Sequence, residues 1–149
     1  MKNFLKGLGF WLLSLTWGVV MTTVGLVVAL ALMITGHKPK RFHHYIWFEV
    51  KSMQGGCSLG GVILTTPTPY LSTLRHEAGH GIQNIIFGPI HVFISIHSFI
   101  RCMYYNKHIK NNTAYKLKPY DSIWFEGQAT KLGNKYFPKF TGSTLGGTA

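Results

Sequence analysis

The sequence predicts an α+β fold: an N-terminal transmembrane helix followed by a small domain with a β-hairpin and two principal helices. Three observations carry that prediction. Residues 7–36 contain no formally charged side chain. Two aromatic and β-branched stretches then flank a turn-forming SMQGG. Two later segments read as helices, one with apolar residues at helical spacing, opened by a proline and stopped by Gly88-Pro89, the other with a cap candidate before it and Gly133 near its end.

The uncharged run exceeds the roughly 20 apolar residues needed to cross a hydrocarbon core. It is also longer than the apolar region of a secretory signal, and no small-x-small cleavage site follows it. It is therefore expected to be an uncleaved anchor over 1–36, followed by a domain over 37–137 and a loose tail over 138–149. Residues 43–50 and 57–66 alternate loosely, as strands with one buried face do, and pairing them across SMQGG gives the hairpin. Pro69 suits a first helical turn, so helix is expected from about 69 to 87, with Gly88-Pro89 as the stop. The apolar stretch 82–100 reads as the end of that helix followed by a buried strand or interfacial segment. Residues 100–119 read as helix, then loop. Asp121 or Ser122 is placed to cap a second helix running to about 132.

Lys and Arg number 15 against four acidic residues, giving a formal net charge of +11. Such a surplus suits an anionic neighbour, here the lipid bilayer. Lys2 and Lys6 precede the uncharged run, while Lys38, Lys40 and Arg41 follow it, a count that favours a cytoplasmic domain. The basic stretch 107–118 accompanies no nucleic-acid motif and reads as a solvated face, so no nucleic-acid partner is expected. NNT at 111–113 matches a glycosylation acceptor and reads as chance in a cytoplasmic domain. Cys57 and Cys102 cannot build a disulfide framework or a thiolate zinc ribbon and are expected as free thiols.

With so few carboxylates, each acquires weight. His76-Glu77-x-x-His80 falls on the first of the two helices, and residues four apart share a helix face. Two imidazoles one turn apart suit a zinc ion. Glu77 beside them suits a general base acting on water held by the ion. A catalytic zinc needs a third protein ligand. Positions 83 and 86 are Gln and Ile, which closes the route through a third histidine on the same helix. Glu126 on the second helix is the first choice, with His91, His97 and His108 as alternatives. Glu126, Ala129 and Gly133 share a face, and Gly79 and Gly81 on the first helix would admit a close neighbour. Several tyrosines, His97 and Arg101 are candidates for stabilising an oxyanion.

HExxH followed on a later helix by E-x-x-A-x-x-x-G resembles the gluzincin zinc metallopeptidases, most closely the membrane-associated group that includes the CAAX prenyl proteases. HExxH-x-x-Q followed by Gly-Pro also resembles a family of small one-span bacterial membrane proteins. The first resemblance implies zinc on His76, His80 and Glu126, with Glu77 as base in peptide hydrolysis near a membrane. It also implies Asp four residues after the ligand glutamate, where this chain has Thr130. The expected function is a membrane-anchored zinc-dependent peptidase acting on membrane-proximal peptides. The alternative is a non-catalytic metal-binding or structural module of a membrane complex.

Overall fold

The computed structural model describes residues 2–53, 55–111 and 116–138. The loose tail expected after 138, Tyr115, and Asn112 and Thr113 of the sequon lie outside them. The fold mixes helix and sheet, in keeping with the α+β expectation. In chain order the elements are α1 (Lys2–Thr16), α2 (Val19–Ile34), β1 (Lys40–Phe42), β2 (Tyr45–Glu49), β3 (Gly56–Leu59), β4 (Val62–Thr65), α3 (Leu71–Phe87), α4 (His91–Lys110) and α5 (Trp124–Tyr136).

The expected hairpin has the right partners and the wrong direction. The sheet order is β1-β2-β4-β3, with β2 and β4 parallel in the register Ile46↔Val62 to Glu49↔Thr65. Region 43–50 supplies β2, one limb of a hairpin with β1, and region 57–66 folds into a hairpin of its own, β3 and β4. His43, at φ 53°, turns β1 into β2, and Gly60, at φ 63°, turns β3 into β4. A Gly-Gly pair is a strong two-residue hairpin signal, and Gly60-Gly61 sits inside what periodicity alone takes for one strand. β4 therefore enters between β2 and β3 and leaves β3 as the outer strand.

Strand alternation divides the core. Tyr45 and Ile63 face α3 and α1, packing with Phe10, Leu74, Ala78 and Phe137. Phe48 and Val62 face the other way, toward Ala29 of α2. Burying a side chain of that size contributes about 1.5–3 kcal/mol. The Tyr45 hydroxyl donates to the Ala78 carbonyl at 2.8 Å, fixing the histidine-bearing helix against the sheet.

The N-terminal run is not one continuous helix. It breaks at Trp17-Gly18, and the two helices meet at 102°. With 15 and 16 residues, each is shorter than the roughly 20 needed to cross a membrane alone. The reason lies on α3. Buried Asn84 donates to the Gly18 carbonyl at 3.1 Å and to Thr22 Oγ1 at 3.2 Å, so the bend is held by a side chain 66 residues away in sequence. Asn84→Ala removes that donor from two buried acceptors. The expected cost is about 1–3 kcal/mol, read as a thermal midpoint several degrees lower in detergent.

The strand expected as one reading of 82–100 is overturned. After Gly88 and a short 3-10 turn over Gly88–Ile90, the chain re-enters helix as α4. Proline is tolerated in a first turn, and no glycine or proline interrupts the 20 residues that follow. The helical run Leu71–Lys110 is long and apolar enough to cross a membrane, and its apolar window is mostly unburied. Phe93, Ile96, Ile100 and Met103 are exposed along it.

Candidate metal centre

α3 and α5 pack so closely that side chains are excluded between them. A Cβ on Gly79 would strike the Ala129 carbonyl oxygen, and a Cβ on Gly133 would strike the Arg75 carbonyl oxygen. Glycine lacks that atom, and at these two positions the helix backbones touch. The contact brings Glu126, fully buried in the first turn of α5, to the two imidazoles of α3.

Glu126 Oε2 stands 3.1 Å from His76 Nε2 and 3.3 Å from His80 Nε2. Donor atoms sharing a tetrahedral zinc at about 2.0–2.2 Å stand about 3.3 Å apart. His76, His80 and Glu126 thus form a group positioned to bind a metal ion.

The surroundings prepare these atoms as ligands. Gln83 spends both amide protons elsewhere, on the Phe125 carbonyl at 2.7 Å and on Gln128 Oε1 at 2.9 Å. Its Oε1, 2.8 Å from His80 Nδ1, must therefore accept the ring proton. That leaves the His80 Nε2 lone pair aimed at the centre. His76 Nδ1 meets Thr130 Oγ1 at 2.8 Å. Glu126 Oε1 is buried and has no hydrogen-bond partner among the described residues. Lone pairs converging on a buried carboxylate call for a cation between them. When protons rather than a cation occupy the centre, burial pushes the Glu126 carboxyl up, but hydrogen bonds from His76 and His80 and the charge of a protonated His80 outweigh it and hold the group well below the usual carboxylate range.

Glu77 is buried and outside the trio. Its carboxylate lies against the outer strand, where a Cβ on Gly56 would sit 2.5 Å from Oε1 and 2.8 Å from Cδ. The alternative third ligands are elsewhere. The His91 ring centroid lies 6.5 Å from that of His80, His97 is exposed and bonded to the Phe93 carbonyl, and His108 packs on Tyr104. Tyr120 reaches the site, its ring centroid 6.3 Å from that of His76. Arg101 holds the Tyr120 carbonyl at 3.1 Å. Burial first, then the charge of Glu126, keeps the Tyr120 hydroxyl protonated far above its ordinary range.

Neither expected cap caps α5. Ile123 is its N-cap residue, without a side-chain hydrogen bond. A 3-10 turn over Tyr120–Ser122 carries Asp121 and Ser122 away from the helix end. Ser122 Oγ accepts from Arg101, and Asp121 Oδ2 accepts from Thr130. Sequence reasoning thus missed Gln83 and Asp121 as members of the site. The three-residue step from His80 to Gln83 was a local signal for the first; the second had none. Cys57 and Cys102 are both free thiols.

The chain matches no protein-family model, no curated protein and no solved structure.

Proposed function

We propose that this protein is a membrane-associated zinc-dependent hydrolase acting on peptides, with Glu77 as general base. The carrying observation is the convergence of His76, His80 and Glu126, with Glu77 next to His76 in the sequence and buried. Two imidazoles and one carboxylate are a donor set that zinc accepts. Zinc held by His76, His80 and Glu126 would supply Lewis-acid polarisation of a carbonyl and a more acidic water.

The remaining work belongs to the chain. Glu77 follows His76 in the sequence and, among the described residues, no hydrogen bond ties up its carboxylate. In this reading it takes a proton from the attacking water and passes it to the leaving amine. Tyr120, whose ring lies near that of His76, is the donor we assign to the oxygen that gains charge as the carbonyl is attacked. The outer edge of β3 is unpaired among the described residues, and Gly56 on it abuts Glu77. An extended peptide could add to that edge and lie across the base. The exposed apolar residues of α1, α2 and α4, with the basic last turn of α4, favour a membrane-proximal substrate. We assign the domain to the cytoplasmic side on the charge count alone.

Metal analysis of the purified full chain in detergent is expected to return one zinc. Glu77→Gln is expected to keep that zinc and to cut turnover of a fluorogenic peptide library by about 10²- to 10⁴-fold. Full turnover in that variant removes Glu77 as base. Zinc retained by a wild-type chain that cleaves nothing leaves the metal-binding module as the function.

A further inference from the structure

Thr130 occupies a position from which a neutral hydroxyl faces a metal-binding imidazole. Its Oγ1 lies 2.8 Å from His76 Nδ1 and 2.9 Å from Asp121 Oδ2. A threonine hydroxyl has one proton. The contact to Asp121 requires it, because an ionised carboxylate only accepts. Toward His76 the same oxygen must then accept, so the proton between them belongs to Nδ1. Nε2 is left with its lone pair toward Glu126 Oε2, 3.1 Å away.

We infer that Asp121 and Thr130 form a two-membered relay that orients His76 for metal, the hydroxyl carrying the carboxylate's influence to the ring. Both are positioning residues and touch no substrate. Histidine ligands commonly donate their second ring proton to a carboxylate or carbonyl, which fixes the ring and raises its basicity. Here the carboxylate lies outside α5, in the turn before it, and Thr130 spans the gap. The arrangement mirrors the other side of the site, where Gln83 receives the proton of His80 and is itself held by Phe125 and Gln128. Each imidazole has its own orienting chain, one charged and one neutral. The inference rests on the metal centre proposed above.

The test is a double-variant cycle on the full chain in detergent, with zinc affinity read by competition against a chromophoric chelator. Asp121→Asn and Thr130→Val are each expected to weaken zinc binding by about 10- to 100-fold. Thr130→Asp places a carboxylate directly on His76 and is expected to keep tight binding. In that background Asp121→Asn should cost nothing further. Wild-type affinity in Asp121→Asn, or an equal loss in both backgrounds, overturns the relay. A second readout does not need the metal: the His76 Nδ1 proton in ¹⁵N-histidine-labelled, zinc-free protein. It should exchange slowly in the wild type and rapidly in Thr130→Val and Asp121→Asn. Should the wild type bind no zinc, the metal centre fails and this proton alone decides the relay. Identical exchange in all three proteins overturns it.

Discussion

Replacing Glu126 with alanine is expected to weaken zinc binding by about 10²- to 10⁴-fold, corresponding to the roughly 3–5 kcal/mol lost when one partner of a buried charge pair is removed. The carboxylate is fully buried, and its Oε2 is within 3.3 Å of both imidazole nitrogens. It supplies the carboxylate of the trio, whose other two donor atoms are imidazole nitrogens. Alanine leaves two neutral ligands and a void that cannot offset a dication. The measurement has two parts. Competition titration reads the affinity directly. Thermal unfolding reads it by linkage, because a ligand at a hundred times its dissociation constant stabilises the folded state by about 2.7 kcal/mol. Added zinc should raise the wild-type midpoint and leave that of Glu126→Ala where it was. Equal affinity in the two proteins would mean that the ion is not held by α5.

Gly79→Ala and Gly133→Ala carry the second large effect, and its sign runs against helix propensity. Alanine in a helix interior is ordinarily better than glycine by about 1 kcal/mol. At these positions the new methyl meets a backbone carbonyl of the facing helix, Ala129 in one case and Arg75 in the other. A carbonyl inside a helix has no rotamer with which to retreat, so the helices must separate. Overpacking of this kind costs about 1–3 kcal/mol, occasionally more. Separation also draws Glu126 away from His76 and His80, so zinc affinity should fall together with the thermal midpoint. Gly9 on α1 supplies the contrast: a Cβ there meets nothing within 4 Å. Gly9→Ala is expected to be neutral or mildly stabilising. Parallel behaviour of Gly9→Ala and Gly79→Ala in denaturation would remove the close helix contact as the explanation.

Much of the candidate site was legible in the sequence because its signals are local. His76 and His80 share a face as a consequence of helical period, and the structure keeps them on one helix. Glu126 was legible by elimination, since the chain has four acids and one of them sits on a second helix with Ala129 and Gly133 on the same face. The sheet was legible in composition but not in connection. A parallel β2–β4 pair needs β3 to run back along the far side of β4, and only Gly60-Gly61 marks the place. Asp121 resembled a helix cap, and its actual partner, Thr130, is nine residues away on the next element. Nothing about an aspartate before a helix distinguishes those two uses.

Sequence alone determined which residue types recur at helical spacing, where charge is withheld, and which imidazoles lie a turn apart. These properties are set within one or two turns of chain, where backbone geometry permits few alternatives. Tertiary structure alone decided the 102° break of the N-terminal run, the strand order, and the orienting partners of the histidines. Two of these rest on bonds between groups far apart in the chain: Asn84 with Gly18 across 66 positions, and His76 with Thr130 across 54. A buried donor or acceptor must find a partner somewhere. Which partner it finds depends on how the helices and sheet pack, and no local pattern carries that information.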